Sequence, residues 1–267
     1  MLIGNREYSD RTYIMGILNV TPDSFSDGGR YNSIDKALKH TEKMVAEGAD
    51  IIDVGGESTR PGHIQISDEE EIERVAPVIE RIKSEFDVPV SVDTYKSKVA
   101  AEAVRVGADM LNDIWGFKYD REMAYVAAKN KAACCLMHNR SKANYSDFMQ
   151  DVLSDLKECI DIAKSAGVED KYIILDPGVG FGKTYEQNLE VTNKVDMLGT
   201  LGYPVLLATS RKSVIGNALN LPSDERLEGT LATTVIAVLR GCLFVRVHDV
   251  KENKRVITMT EKIIGRY

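Results

Sequence analysis

The chain has 267 residues, 34 of them basic and 41 acidic, for a formal charge of −7, and 43% of its residues are hydrophobic. That apolar share fills a core and excludes disorder for the bulk of the chain, while the acidity argues against a general nucleic-acid surface. The longest uncharged stretch, Met197–Ser210, holds two glycines and a proline and falls short of the ~20 apolar residues of a membrane span. The first residues carry Arg6, Glu7, Asp10 and Arg11 and lack the apolar centre of a secretory leader. Cys134, Cys135, Cys159 and Cys242 form no C-x-x-C pair, and adjacent cysteines on a strand point opposite ways. They read as small buried thiols in a reduced, cytoplasmic setting.

Short runs rich in Ile, Val and Leu begin near Tyr13, Ile51, Val90, Met110, Ala133, Ile173, Val205 and Leu243, about 33 residues apart on average. They are uninterrupted rather than alternating, as expected of strands buried on both faces of a parallel sheet. Amphipathic segments lie between them: Ser33–Glu47, Asp68–Phe86, Lys96–Val106, Glu122–Asn130, Phe148–Ala166, Glu186–Leu198, Leu227–Arg240 and Val250–Ile264. Gly48, Gly107 and Gly167 stand just past helix ends, and Ser67 precedes the acidic turn Asp68-Glu69-Glu70 as an N-cap. Eight strand–helix repeats predict a closed (β/α)8 TIM barrel rather than an open doubly wound sheet. We expect one domain over residues 1–267, with residues 1–12 an extension closing the barrel floor.

A barrel puts its active site at the C-terminal ends of the strands. The runs end at Asn19, Asp53, Asp93, Asn112, Met137-His138, Asp176, Ser210-Arg211-Lys212 and Arg246 to His248. Strands end where polar residues begin, but eight such ends on one rim form a polar ring whose desolvation a ligand would explain. Asp93, Asn112 and Asp176 are acceptor-rich and suit a flat heterocycle with N–H donors. Lys212, Arg246 and His248, beside the helix start at Val250, suit a phosphate or diphosphate. The expectation is a two-part substrate spanning an acidic and a basic side. Two long polar loops, Asn19–Gly29 and Gly55–Gly62, could close over it, and Phe25 is an unexplained aromatic in the first.

Other motifs compete for attention. Gly178-Val-Gly-Phe-Gly-Lys-Thr184 has three residues between Gly178 and Gly182 where a P-loop has four, and Lys183 stands at the third glycine of a dinucleotide fingerprint. It reads as a tight turn with Lys183 reaching back to the site. Lys212 could form a Schiff base or serve as a hydrogen-bond donor. His40 and His63 read as solvated, and His138 as structural.

The segments together resemble the dihydropteroate synthases, a pterin-binding family. The resemblance lies in Met15–Gly29, Asp53–Gly62, Ser91–Thr94, Asn112–Ile114, Leu136–His138, Asp176–Lys183, Ser210–Ser213 and Val245–Val250, in that order and over nearly the whole chain. It implies a (β/α)8 barrel, usually dimeric, joining (7,8-dihydropterin-6-yl)methyl diphosphate to 4-aminobenzoate, with 7,8-dihydropteroate and diphosphate as products. By the same resemblance the pterin is held by Asp93, Asn112, Asp176, Lys212, Met137, Phe181 and Arg246. The diphosphate is held by Asn19, Thr59, Arg60, Arg246 and His248, with Mg2+ through Asn19. Phe25, Thr59, Pro61 and Ser213 form the aminobenzoate subsite, where sulfonamides compete, and the resemblance implies Asp93, Asn112, Asp176, Lys212 and Asp27 as the catalytic set. Departure of diphosphate before attack by the amine is the expected course. A methyltetrahydrofolate-binding methyltransferase barrel is the alternative reading. A Schiff-base aldolase and a non-catalytic pterin binder are two further readings.

Overall fold

The structure, a computed structural model, describes residues 1–21, 30–58 and 64–266. The expected runs form the strands β3 (Tyr13–Asn19), β4 (Ile51–Gly55), β5 (Val90–Asp93), β6 (Met110–Asp113), β7 (Ala133–Met137), β8 (Ile173–Asp176), β9 (Leu206–Leu207) and β10 (Phe244–Val247). All eight are parallel, in the order β8-β7-β6-β5-β4-β3-β10-β9. A bridge from Leu175 to Val205 closes the ring. This is the (β/α)8 barrel expected from the sequence.

Around it run α1 (Arg30–Glu47), α2 (Asp68–Glu85), α3 (Ser97–Arg105), α4 (Glu122–Asn130), α5 (Phe148–Ser165), α6 (Tyr185–Asn193), α7 (Ser213–Leu219), α8 (Leu227–Leu239) and α9 (Val250–Ile263). The caps follow local chemistry. Ser67 accepts from the Glu70 N–H at the start of α2, and Gly48, Gly107 and Gly167 all take positive φ. Three elements differ from expectation, the first helix beginning at Arg30 rather than Ser33. The sixth helix stops at Asn193, where the chain tightens into a 3-10 segment, Val195–Leu201, ended by Gly202 in a left-handed conformation. The short helix α7 has no counterpart among the helical segments read from the sequence.

Strand residues alternate between two buried layers. Odd positions of β3, β4 and β7 and even positions of β6, β8, β9 and β10 face the barrel interior. There Tyr13, Met15, Ile51, Met110, Cys135 and Phe244 form one apolar cluster, with Ile3 and Tyr8 below them. Ile3 and Tyr8 flank a small antiparallel hairpin, β1 (Leu2–Ile3) with β2 (Arg6–Glu7), which plugs the N-terminal end of the barrel. The other parity, including Ile14, Ile52, Leu111, Cys134, Leu175 and Val245, packs against the helices. Cys134 and Cys135 fall in different layers for this reason, and all four cysteines are buried and free. Among the described residues, no helix is long and apolar enough to cross a membrane.

Candidate active site

The inward parity that makes the apolar floor turns polar one step higher. Above Ile51 comes Asp53, above Ser91 comes Asp93, above Met110 Asn112, above Ile174 Asp176, and above Phe244 Arg246. Asp53, Asp93, Asn112 and Asp176 are all buried. An apolar wall beside them joins Met137, Tyr95 and Ile114, with Trp115 and Phe181 packed against it. Trp115 is aimed by Asp113, of the outward parity, whose carboxylate accepts the Trp115 and Phe117 N–H groups at 2.8 Å each. Burial pushes Asp113 up to about 7.

Arg246 is the hub. Its Nε donates to Asp53 Oδ2 at 2.6 Å and its Nη2 to Asp93 Oδ2 at 2.7 Å. Asn112 Nδ2 donates to the same Asp53 oxygen at 3.1 Å. Burial works against the Arg246 charge, but Asp53 and Asp93 outweigh it and hold the guanidinium protonated. Asp93 is driven up to about 7 by burial, with Arg246 opposing and Asp53 adding to the shift. The expected division into an acidic and a basic side is therefore corrected: Arg246 lies among the carboxylates. Only β3 separates β10 from β4, and its inward residue in register with Asp53 is the uncharged Ile17. The sequence marks Asp53 as a strand end and as the start of the segment Asp53–Gly62 but gives it no site role; its inward parity with Asp93 and Asn112 is the signal that would assign one.

Two buried acceptors, Asp53 Oδ1 and Asp93 Oδ1, receive no hydrogen bond among the described residues. Unpaired buried carboxylate oxygens are costly, and they sit at the end of the barrel interior where Lys212 acts electrostatically on both Asp93 and Asp176. Asp176 Oδ1 accepts the Gly178 N–H at 2.7 Å, and burial raises its pKa, with Lys212 opposing. Lys212 Nζ donates to Val179 O at 2.6 Å and lies 5.0 Å from the Phe181 ring centroid. Burial pulls this lysine down to about 8 against the attraction of Asp176. Arg246, from the tail of the chain, is ion-paired to Asp53 and Asp93 and also acts electrostatically on Asp176 and Lys212, so the middle and the tail of the chain meet at this end of the barrel.

Beside this group, Ser210 Oγ is 2.9 Å from His248 Nδ1 and accepts the His248 backbone N–H at 3.2 Å. Arg211 forks onto Asp249, so Asp249 makes no side-chain cap for α9. Asn19 is exposed at the top of β3. A Cβ at Gly55 would lie 3.6 Å from Asn19 Oδ1 and 3.7 Å from Asp93 Oδ2, so both oxygens lie close to Gly55. Ser213 opens α7 and is exposed. Phe25, Asp27, Thr59, Arg60 and Pro61 lie outside the described residues. Among the described residues no group of three or more His, Cys, Asp or Glu is arranged to hold a metal ion.

His138 has the outward parity of Cys134 and Leu136, which takes its ring out of the cavity. It is fully buried against Asp155 of α5, at 3.0 Å from Nε2. Lys183 does reach back, but to His138 and its own loop rather than into the cavity. Below the second polar loop, Lys96 is ion-paired to Glu57 at 2.6 Å and Glu71 at 2.8 Å, all three nearly inaccessible. Sequence reading missed this cluster, because its members are scattered over three elements.

The comparisons with known proteins accord with this geometry. The pattern of the family described as pterin binding enzyme matches residues 15–248. The dihydropteroate synthase of Clostridium beijerinckii is 63% identical over 269 residues, covering all of both chains. A crystal structure of a dihydropteroate synthase from Clostridium difficile in the presence of pteroic acid superposes with a TM-score of 0.95. It is 53% identical and covers 98% of this chain and 100% of that one. The dihydropteroate synthase of Xanthomonas albilineans with 4-aminobenzoic acid gives a TM-score of 0.91 at 39% identity, over 96% of this chain and 94% of that one.

Proposed function

The chain belongs to the pterin-binding enzyme family, and from that membership we infer how its rim residues carry out the dihydropteroate synthase reaction. In that reaction the methylene of a dihydropterin diphosphate loses diphosphate and gains the amine of 4-aminobenzoate. The observation that carries the reading is the pair of buried, unpaired carboxylate oxygens on Asp53 and Asp93, next to Asp176 and Lys212. Those acceptors suit the N–H edge of an aminopyrimidinone ring, and Lys212 suits its ring acceptors. Asn112 orients Asp53, and Met137 and Phe181 give the ring an apolar face to lie on.

We read Arg246 as serving both halves of the substrate. Nε and Nη2 are taken by Asp53 and Asp93, and Nη1 would serve the leaving group. His248, buttressed by Ser210, and the N–H groups opening α9 would meet the charge that grows as the C–O bond breaks. The methylene is attached to an electron-rich ring, which favours departure first. The carboxylates of Asp93 and Asp176 then stabilise the cation, and the neutral arylamine attacks without needing a strong base. Closure of the two polar loops keeps water, the competing nucleophile, away. The aminobenzoate subsite would use Phe25, Thr59 and Pro61 with Ser213 at the start of α7, Arg60 would reach the diphosphate, and Asp27 would complete the catalytic set.

Mg2+ fits this arrangement as an ion carried in with the diphosphate. Asn19 offers one amide oxygen at an exposed strand end, and magnesium commonly takes one or two protein oxygens and fills its shell from phosphate and water. The ion would neutralise the leaving diphosphate. We further propose a cytoplasmic homodimer formed through the last helices, where Leu239, Met259 and Ile263 are exposed by 54%, 59% and 71%.

The test is turnover with the pterin diphosphate, 4-aminobenzoate and Mg2+, following diphosphate release. Wild type releases diphosphate only with both organic substrates present. Release that is absent, or independent of 4-aminobenzoate, overturns the reading.

A further inference from the structure

We propose that Lys183 is a positioning residue, whose ammonium ties the loop after β8 to the end of β7 and so sets where Lys212 and Phe181 stand. The proposal rests on the pterin reading of the cavity and deepens it.

The loop lies directly on the segment that follows β7. Gly178 has φ +67°, and a Cβ there would come within 1.9 Å of the His138 carbonyl oxygen. Gly182 has φ +54°, and its Cβ would come within 2.3 Å of the Arg140 carbonyl oxygen. Only glycine permits both the conformation and the approach. The turn between these contacts aims two carbonyls, of Gly178 and Phe181, at one point. Lys183 Nζ occupies that point, 2.9 Å from Gly178 O, 3.0 Å from Phe181 O and 2.8 Å from His138 Nδ1.

Burial pulls Lys183 down to about 7 against the attraction of Asp176; in its ammonium form it has three donors and no acceptor, so these three partners saturate it. His138 must then present a lone pair at Nδ1 and carry its proton at Nε2, which goes to Asp155 Oδ2 at 3.0 Å. Arg140 Nε holds the same Asp155 oxygen at 2.6 Å. The chain Arg140, Asp155, His138, Lys183 thus has one direction, because the other tautomer of His138 would set donor against donor at Lys183 and acceptor against acceptor at Asp155. Burial pulling His138 down to about 4 keeps the ring neutral, in keeping with that role.

The segment so tied carries the parts that face the ring. Val179, between the two pinned carbonyls, accepts from Lys212, and the Phe181 ring lies under the same ammonium. Lys183 makes no hydrogen bond to Asp176 or Lys212, although its charge favours the Asp176 carboxylate; the hydrogen bonds it does make hold the segment that carries Val179 and Phe181.

The experiment uses the whole protein and 6-hydroxymethylpterin as the binding probe. Lys183→Met is expected to weaken probe binding about tenfold, the cost of losing a set of charged hydrogen bonds. The KM for the pterin diphosphate should rise by the same factor, with the KM for 4-aminobenzoate unchanged. Ethylammonium, supplied to Lys183→Ala, should restore probe binding by refilling the three-acceptor site. Equal loss in both KM values with a lower Tm, or unchanged probe binding, overturns the proposal. If Lys183→Met does not fold, the ethylammonium arm decides alone: no rescue overturns it. Asp176→Asn is the control for the cavity itself. Were it to bind the probe like wild type, the pterin reading would fail, whatever Lys183 does.

Discussion

Asp93 and Lys212 titrate toward each other from opposite ends of the pH scale. Burial raises Asp93 to about 7 and lowers Lys212 to about 8. Ring binding needs the carboxylate ionised and the ammonium protonated. As pH rises through about 7 Asp93 gains its charge, and above about 8 Lys212 loses its own. We therefore expect kcat/KM for the pterin diphosphate to follow a narrow bell between these values, read from initial rates of diphosphate release. Lys212→Arg should abolish the alkaline limb on whatever activity remains, because a guanidinium does not deprotonate there; an alkaline limb that persists would remove Lys212 from ring binding. Asp176→Asn removes a charge that faces the same ring while keeping a side-chain oxygen for the Gly178 N–H. Its expected result is a fall of about 100-fold in kcat/KM with little change in Tm; an unchanged kcat/KM counts against its role.

At the scale of elements, the two described ends of the loop after β4, at Glu57 and Ile66, are held by a buried charge. Lys96, just before α3, bridges Glu57 on that loop and Glu71 on α2, and also donates to Ile66 O at 2.8 Å, where the loop rejoins α2. The Tyr95 hydroxyl donates to the same Glu57. Lys96→Met would leave two buried carboxylates without a counter-charge, at a cost of about 3–5 kcal/mol in urea unfolding. Adding Glu57→Gln should recover part of it, and a cost below about 1 kcal/mol would show the pairs to be solvated. How legible such parts were depended on periodicity. The eight strands were readable because each is a continuous apolar run with a polar end. The layer each residue belongs to was not read, because both strand faces are buried and hydrophobicity does not alternate. Parity from the last core residue supplies it: Asp53 turns inward to Arg246, whereas His138 and Asp113 turn outward to hold loops. Helix α7 escaped notice for a different reason. Its seven residues include Gly216 and end at Asn220 with φ 55°, too short to develop an amphipathic period.

Across the whole molecule, the barrel separates stability from chemistry along its axis. The N-terminal end is filled by aromatic packing: Tyr8 stands edge-on to Tyr13 at 4.7 Å between ring centroids and 5.4 Å from Phe244, with Ile3 fully buried beside them. The strands that start on this plug carry at their other ends the charges of the site, as Phe244 leads to Arg246 and Ile51 to Asp53. Tyr8 is 3% exposed, and truncating a buried aromatic costs about 3–5 kcal/mol. In a chain of this size that amounts to a fall in Tm of roughly 6–10 °C. Tyr8→Ala should show that loss by calorimetry while keeping both KM values and kcat within about twofold at 25 °C, since floor residues of a barrel support the fold and rim residues the reaction. A selective rise in the pterin KM, measured well below the new Tm, would mean that the floor and the rim are mechanically coupled through the strands, and that the ring of charges is set by the plug as well as by its own ion pairs.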